Sequence, residues 1–136
     1  MTLVIDASLV VSALVDTSST GNWAESILLA GPLNAPHLMP AEVTNILRRA
    51  VMRGDITADV ASMAHADVLD LRVEYFPYAP FAGRVWELRD NVTSYDAWYV
   101  ALAEALGSSL ATLDHKLAQA TGPRCGFEIP PAAAAT

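Results

Sequence analysis

Apolar residues along the chain fall into short solid blocks and longer spaced stripes, and the alternation of the two predicts the fold class. Residues 1–5 read Met-Thr-Leu-Val-Ile, a run without helical periodicity that stops abruptly at Asp6. A run of this kind is typical of a strand covered on both faces in a parallel sheet. Residues 7–15 carry a helical pattern, 18–20 form a polar break, and 21–30 resume helical spacing with Trp23, Ile27 and Leu28 before Gly31-Pro32 ends it. A weaker strand is expected over 33–37. Pro40 stands where a first helical turn accepts it, and helix 41–53 follows with Val43, Ile46, Leu47 and Ala50 on one face and Gly54 as its stop. Thr57 caps helix 58–71, whose expected buried stripe is Val60, Met63, Ala64 and Val68.

The second half continues the alternation. A third strand is expected over 72–76, a loop over 77–80, and a helix over 81–89 that buries Phe81, Val85 and Leu88. Thr93 or Ser94 caps the next helix, which ends at Gly107. A fourth strand over 109–113 runs into Asp114, and a short helix over 115–120 and a last strand over 127–129 complete the pattern. Strands alternating with helices define an α/β fold, with a mostly parallel central sheet of four or five strands flanked by helices. No repeat or linker divides the chain, so one domain over 1–129 is expected, followed by a mobile Pro/Ala-rich tail over 130–136.

Composition adds two constraints. Hydrophobic residues make up 53% of the 136, and the mean hydropathy is +0.32. So much apolar material on a small domain implies an exposed association surface, and hence a homodimer or a tightly bound partner. The apolar runs fall short of the ~18–20 residues of a spanning helix, so no membrane is expected. No Lys or Arg precedes Asp6, and Cys125 stands alone, without a disulfide or metal-ligand companion. A cytoplasmic protein fits these features. The net charge of −7 argues against a broad phosphate-binding surface, unless many acids converge on divalent cations that reverse the local sign. An acidic surface also suits a basic partner.

In open α/β sheets, sites form at the carboxyl ends of the strands. Asp6 and Asp114 are expected directly after the first and fourth strands, while Glu42 and Asp96 lie in the first turns of two helices. Singly, each acid has an ordinary structural use as a cap or a partner of the helix dipole. As a set they have a route to one edge of the sheet. There their mutual repulsion is relieved by hard divalent cations, which prefer oxygen ligands. His37, His65 and His115 are too scattered for a zinc site. Carboxylates around such a cation match phosphodiester hydrolysis, in which the metal activates water and neutralises developing charge.

Four segments carry a resemblance: Val4-Ile5-Asp6-Ala7-Ser8, Pro40-Ala41-Glu42-Val43, the run from Ser94 through Asp96 to Ala103, and Ala111-Thr112-Leu113-Asp114-His115-Lys116-Leu117. In order and spacing they resemble PIN-domain ribonucleases, and within them the VapC-type toxins of bacterial toxin–antitoxin pairs, over nearly the whole chain. The resemblance implies a PIN-like three-layer sandwich and an Mg²⁺- or Mn²⁺-dependent endoribonuclease. Its acidic quartet is Asp6, Glu42, Asp96 and Asp114, with Asp6 and Asp96 the most direct metal ligands and Glu42 and Asp114 completing the shell directly or through water. Ser8 and Thr112 stand beside these acids, either orienting a carboxylate or water or serving only local capping and packing. The resemblance further implies a homodimer and a cognate VapB-type antitoxin whose basic C-terminal segment lies in the acidic groove. Tyr95, Trp98 and Tyr99 offer rings for base stacking, with helix packing the expectation for Tyr99. Two rival classes are a receiver-like Mg²⁺-binding signalling domain and a non-catalytic interaction domain. The receiver pattern wants adjacent acids after the first strand and a Lys ending the last, and neither is present.

Overall fold

The computed structural model describes residues 2–132; Met1 of the expected first strand and residues 133–136 of the expected tail lie outside them. Five strands form one sheet in the order β3-β2-β1-β4-β5, every pair parallel. They are β1 (Leu3–Ile5), β2 (Leu33–Pro36), β3 (Val73–Phe76), β4 (Ser109–Ala111) and β5 (Phe127–Glu128). β1 and β2 are wholly buried, which explains the solid apolar run of β1, while β2 buries a polar residue, Asn34, whose side-chain amide donates to the Leu3 carbonyl at 3.2 Å. From β1 the chain adds β2 and β3 on one side, then crosses to place β4 and β5 on the other. The boundary between β1 and β4 is therefore the topological switch point.

The helices are α1 (Ala7–Val15), α2 (Ser19–Leu28), α3 (Met39–Met52), α4 (Ala58–Asp70), α5 (Ala82–Glu87), α6 (Ser94–Leu106) and α7 (His115–Ala118). α6 lies along β1, β2 and β4 with α5 against it, while α1 packs with α2, α3 and α4. Capping follows local chemistry. The Thr57 and Thr93 hydroxyls accept from the Val60 and Asp96 N–H groups at 3.2 Å each, and Gly107 closes α6 in the left-handed region at φ 62°. The core gathers Val4, Ile5, Leu9, Val10, Met39, Val43, Val100, Leu102 and Leu110.

Several expectations are corrected. α2 begins at Ser19, so most of the expected polar break is its first turn. α3 begins at Met39, with Pro40 already inside its first turn. The segment expected as one helix over 81–89 divides into a 3-10 turn at Ala79–Phe81 and α5, and Phe81 is only half-buried. β4 ends at Ala111, so Thr112 and Leu113 separate it from Asp114. On α4, Ala64 and Val68 are buried, but Val60 and Met63 are 41% and 68% exposed. α4 covers α1 and α3 with a narrow, small-residue face, and the larger residues of the expected stripe turn outward. Among the described residues no helix is long and apolar enough to cross a membrane.

Candidate active site

Parallel pairing of β1 and β4 sets the site's first two groups. Ile5 stands opposite Ala111, and the Asp6 N–H donates to the Ala111 carbonyl at 3.2 Å. Asp6 and Thr112, the next residue on each strand, therefore leave the sheet side by side. Thr112 is 0% exposed and its hydroxyl donates to Asp6 Oδ2. The Ser8 hydroxyl and the Leu9 N–H donate to Oδ1 at 2.7 and 3.0 Å. Asp6 is thus the cap of α1 and also a buried carboxylate fixed by three donors. Thr112 Oγ1 in turn accepts from the Asp114 N–H at 3.0 Å, which ties the fourth-strand acid to the first-strand acid through one hydroxyl.

The other two acids arrive on helices. Glu42 sits in the first turn of α3, half-buried, and its Oε1 accepts from the Tyr99 hydroxyl at 2.6 Å. Asp96 lies in the first turn of α6, one turn before Tyr99, so the same helix supplies one acid and the side chain that holds another. Tyr99 is 2% exposed. Sequence reasoning assigned it to packing and missed the bond to Glu42. The available signal was a phenol on the buried face of a helix, because such hydroxyls usually have a partner. Asp114 is exposed, and its Oδ1 accepts from Lys116 and Leu117 N–H at 3.0 and 3.1 Å as the cap of α7.

Electrostatically the four acids act on one another. Burial pushes Asp6 above the ordinary 3.8, its three donors pull it back, and the charge on Asp96 raises it further. Burial also raises Glu42; the Tyr99 bond opposes this, and the charges on Asp96 and Asp6 add to it. Asp96 is raised by burial and then by the charge on Asp114, against the Thr93 bond. The ion pairs of the described residues join Arg53 to Asp55 and Arg84 to Glu87 and Glu104, so none of the four acids is neutralised in one. Among the described residues, no three of His, Cys, Asp and Glu stand close enough to make a ready set of metal ligands. The acids are linked by the charge effects above, and Asp6, Glu42 and Asp114 are each also held by their own hydrogen bonds. The donor chemistry nevertheless fits a hard divalent cation: only oxygens, partly buried, negative, and unmatched by any basic side chain.

Other candidates are weaker. His37, His65 and His115 are exposed, and His115 follows Asp114 directly at the start of α7. Cys125 is half-buried, and burial pushes its thiol up to about 11, so it stays protonated. A larger cavity, about 690 Å³, is lined by Thr2, Leu3, Glu104, Ser109, Arg124 and Cys125 among others. It lies at the amino ends of β1 and β4, away from the four acids. Its Glu104 carboxylate is already engaged by Arg84 at 2.7 and 3.0 Å and by the Arg124 N–H at 2.7 Å.

This fold and this grouping of acids define the class: the chain belongs to the PIN domain family, which it matches over residues 3–123. Its similarity to ribonuclease VapC1 of Mycobacterium tuberculosis is 43% identity over 133 residues, covering 93% of this chain and 96% of that protein. With ribonuclease VapC9 of the same organism the identity is 34% over 129 residues, covering 95% and 98%. Among solved structures, PAE2754 from Pyrobaculum aerophilum superposes with a TM-score of 0.70 at 23% identity, covering 95% of this chain and 84% of that one. VapBC2 from Rickettsia felis, bound to a fragment of promoter DNA, matches with a TM-score of 0.66 at 17% identity, covering 95% and 98%. The two structures share the fold; the two sequences extend the family expectation to nearly the full chain.

Proposed function

We propose that this chain is a metal-dependent endoribonuclease of the VapC type, the toxin member of a toxin–antitoxin pair, which hydrolyses RNA phosphodiester bonds at Asp6, Glu42, Asp96 and Asp114. The observation that carries the reading is the shared, unneutralised negative field of these acids at the switch point between β1 and β4. The VapC relatives, named as ribonucleases, support the reaction class. The β3-β2-β1-β4-β5 order also differs from the 2-1-3-4-5 order of flavodoxin-like folds such as receivers, which disfavours the signalling alternative.

A bound Mg²⁺ or Mn²⁺, held mainly by Asp6 and Asp96 with Glu42 and Asp114 directly or through water, supplies Lewis acidity that lowers the pKa of water and offsets charge on the phosphate. The chain's own residues do the positioning. Thr112, Ser8 and the Leu9 N–H fix the Asp6 carboxylate, so it costs little ordering when a ligand arrives. Tyr99 holds Glu42 by Oε1 and leaves Oε2 to accept a proton from the attacking water, a role its raised pKa favours. Asp114, held by Oδ1, leaves Oδ2 as the alternative acceptor of that one proton. The acidic groove suits the basic C-terminal segment of a VapB-type antitoxin. Exposed Met52, Val60, Met63 and Leu69 on α3 and α4 supply apolar area for a homodimer, in a cytoplasmic setting.

End-labelled RNA tests the reading. Wild type cleaves with Mg²⁺ or Mn²⁺ and stops in EDTA, and Asp96→Asn loses more than about 100-fold in rate while staying folded. Cleavage by the variant at the wild-type rate contradicts the site. A chain that cuts no RNA and whose melting temperature ignores Mn²⁺ is the non-catalytic interaction domain instead.

A further inference from the structure

The cavity of about 690 Å³ opens at the amino ends of β1 and β4, the opposite end of these strands from Asp6 and Thr112. β1 and β4 reach it with their first residues and α6 with its last turn, and the segment that leads into β5 closes it. Its volume lies within the roughly 300–1,000 Å³ of small-molecule sites, and hydrolysis at the four acids gives it no part.

The charged side chains of its lining are Glu104 and Arg124. Glu104 has no oxygen to spare. Oε1 accepts from Arg84 Nε at 2.7 Å, and Oε2 accepts from a second Arg84 nitrogen at 3.0 Å and from the Arg124 backbone N–H at 2.7 Å. Burial raises its pKa, but these donors and the two guanidinium charges outweigh burial and hold the carboxyl below its ordinary 4.5. Arg124 is in the reverse position. Its side chain is exposed, and its guanidinium enters no ion pair among the described residues. What the lining leaves free is therefore a cation and no anion.

Hydroxyls, rather than further acids, accompany that cation. Thr2 and Ser109 line the cavity, and each brings an O–H that can donate. A Cβ at Gly126 would stand 2.9 Å from Ser109 Oγ, closer than side chains pack, so the bare glycine backbone leaves room over that hydroxyl. A metal ion finds no free carboxylate here. An apolar molecule would cover the guanidinium and the hydroxyls without replacing their bonds to water. An oxyanion replaces them, and a guanidinium fork meets phosphate or carboxylate with two parallel bonds.

We infer that this cavity binds a small polar molecule carrying an oxyanion, phosphate or carboxylate, with the ion on Arg124 and a hydroxylated body along Thr2 and Ser109. The site is separate from the hydrolytic one and stands whether or not the chain cuts RNA. The four acids repel anions at their own end of the sheet, so the far end is the place where this acidic chain can hold one.

Cys125 lines the cavity and is the chain's one cysteine, so its alkylation reports occupancy without reference to cleavage. Burial pushes the thiol up to about 11, so its slow reaction with iodoacetamide is followed at about pH 9. With metal-free, full-length protein, millimolar glycerol 3-phosphate should slow the reaction saturably, by roughly three- to tenfold. Inorganic phosphate should protect less, because it fills less of the cavity, and potassium chloride at the same ionic strength should not protect. Citrate provides the carboxylate arm: protection by citrate alone supports the site and assigns its ion as carboxylate. Arg124→Gln removes the cation and keeps the backbone N–H that holds Glu104, so it should fold and lose the protection. Asp96→Asn should be protected like wild type. Equal protection by potassium chloride, protection kept in Arg124→Gln or lost in Asp96→Asn, or no protection by glycerol 3-phosphate, phosphate or citrate overturns the proposal.

Discussion

Replacing Thr112 by Val removes one hydroxyl and keeps the shape and β-branching of the side chain, so its effect isolates two hydrogen bonds. Thr112 is 0% exposed, and water cannot take the place of its hydroxyl. The lost donor to Asp6 Oδ2 is a bond to a buried carboxylate, about 1.5–3 kcal/mol, and the lost acceptor for the Asp114 N–H is a neutral, partly exposed bond of about 0.5–1.5 kcal/mol. Together they predict a destabilisation of about 2–4 kcal/mol, or a fall in Tm of roughly 8–15 °C for a chain of this size. The sign of the pH dependence follows from Asp6. Its folded pKa is held above 3.8 by burial, so the contribution of Asp6 to the stability of the metal-free protein is fully present below that value and is lost as pH rises through the folded pKa. Removing a donor that favours the charged form raises the folded value further. The deficit of Thr112→Val should therefore be small near pH 4 and large near pH 7. Thermal melts in EDTA at the two pH values measure this directly. Thr112→Ser, which keeps both bonds and loses one methyl, should cost only about 1 kcal/mol. Equal Tm for Thr112→Val and wild type at neutral pH, or a deficit that ignores pH, refutes the account of how Asp6 is held.

Two further substitutions separate positioning from scaffold. Tyr99→Phe removes the 2.6 Å bond to Glu42 and leaves the ring packed; cleavage kinetics should show a kcat lower by about 10-fold, and melts a loss of about 1–2 kcal/mol. Arg84→Met breaks the two bonds to Glu104 and the bond to the Gly122 carbonyl at the far side of the molecule from the acids. For a pair partly open to solvent this should cost about 1–3 kcal/mol of stability by denaturant titration and leave kcat unchanged.

The parts of the fold legible in the sequence were those set by neighbouring residues. A solid apolar run marked β1, Thr57 and Thr93 marked helix starts, and Gly107 marked an end that needs a left-handed residue. The phase of α4 was not legible, because which side of that helix is buried depends on the α1 and α3 surfaces it meets. Its small residues, rather than Val60 and Met63, fit against them. Strand order was equally hidden, since pairing between β1 and β4 joins segments about a hundred residues apart. The site divides the same way. Ser8 and Thr112 could both be read as hydroxyls beside the acids, open to orienting a carboxylate or water or to local packing, but which carboxylate Thr112 serves could not. That Thr112 donates to Asp6 and that Tyr99 holds Glu42 required the sheet register and the placement of α6 along β1 and β2.

Titration of the metal-free protein with Mn²⁺, followed by calorimetry and by Tm, is the most direct test of the claim that these acids form a cation site. Wild type should bind Mn²⁺ and gain stability with concentration, by about 2.7 kcal/mol at a hundredfold excess over Kd. Asp96→Asn should bind far more weakly while melting no earlier than wild type without metal. Wild type that binds no Mn²⁺, or Asp96→Asn that binds it equally well, would contradict the account.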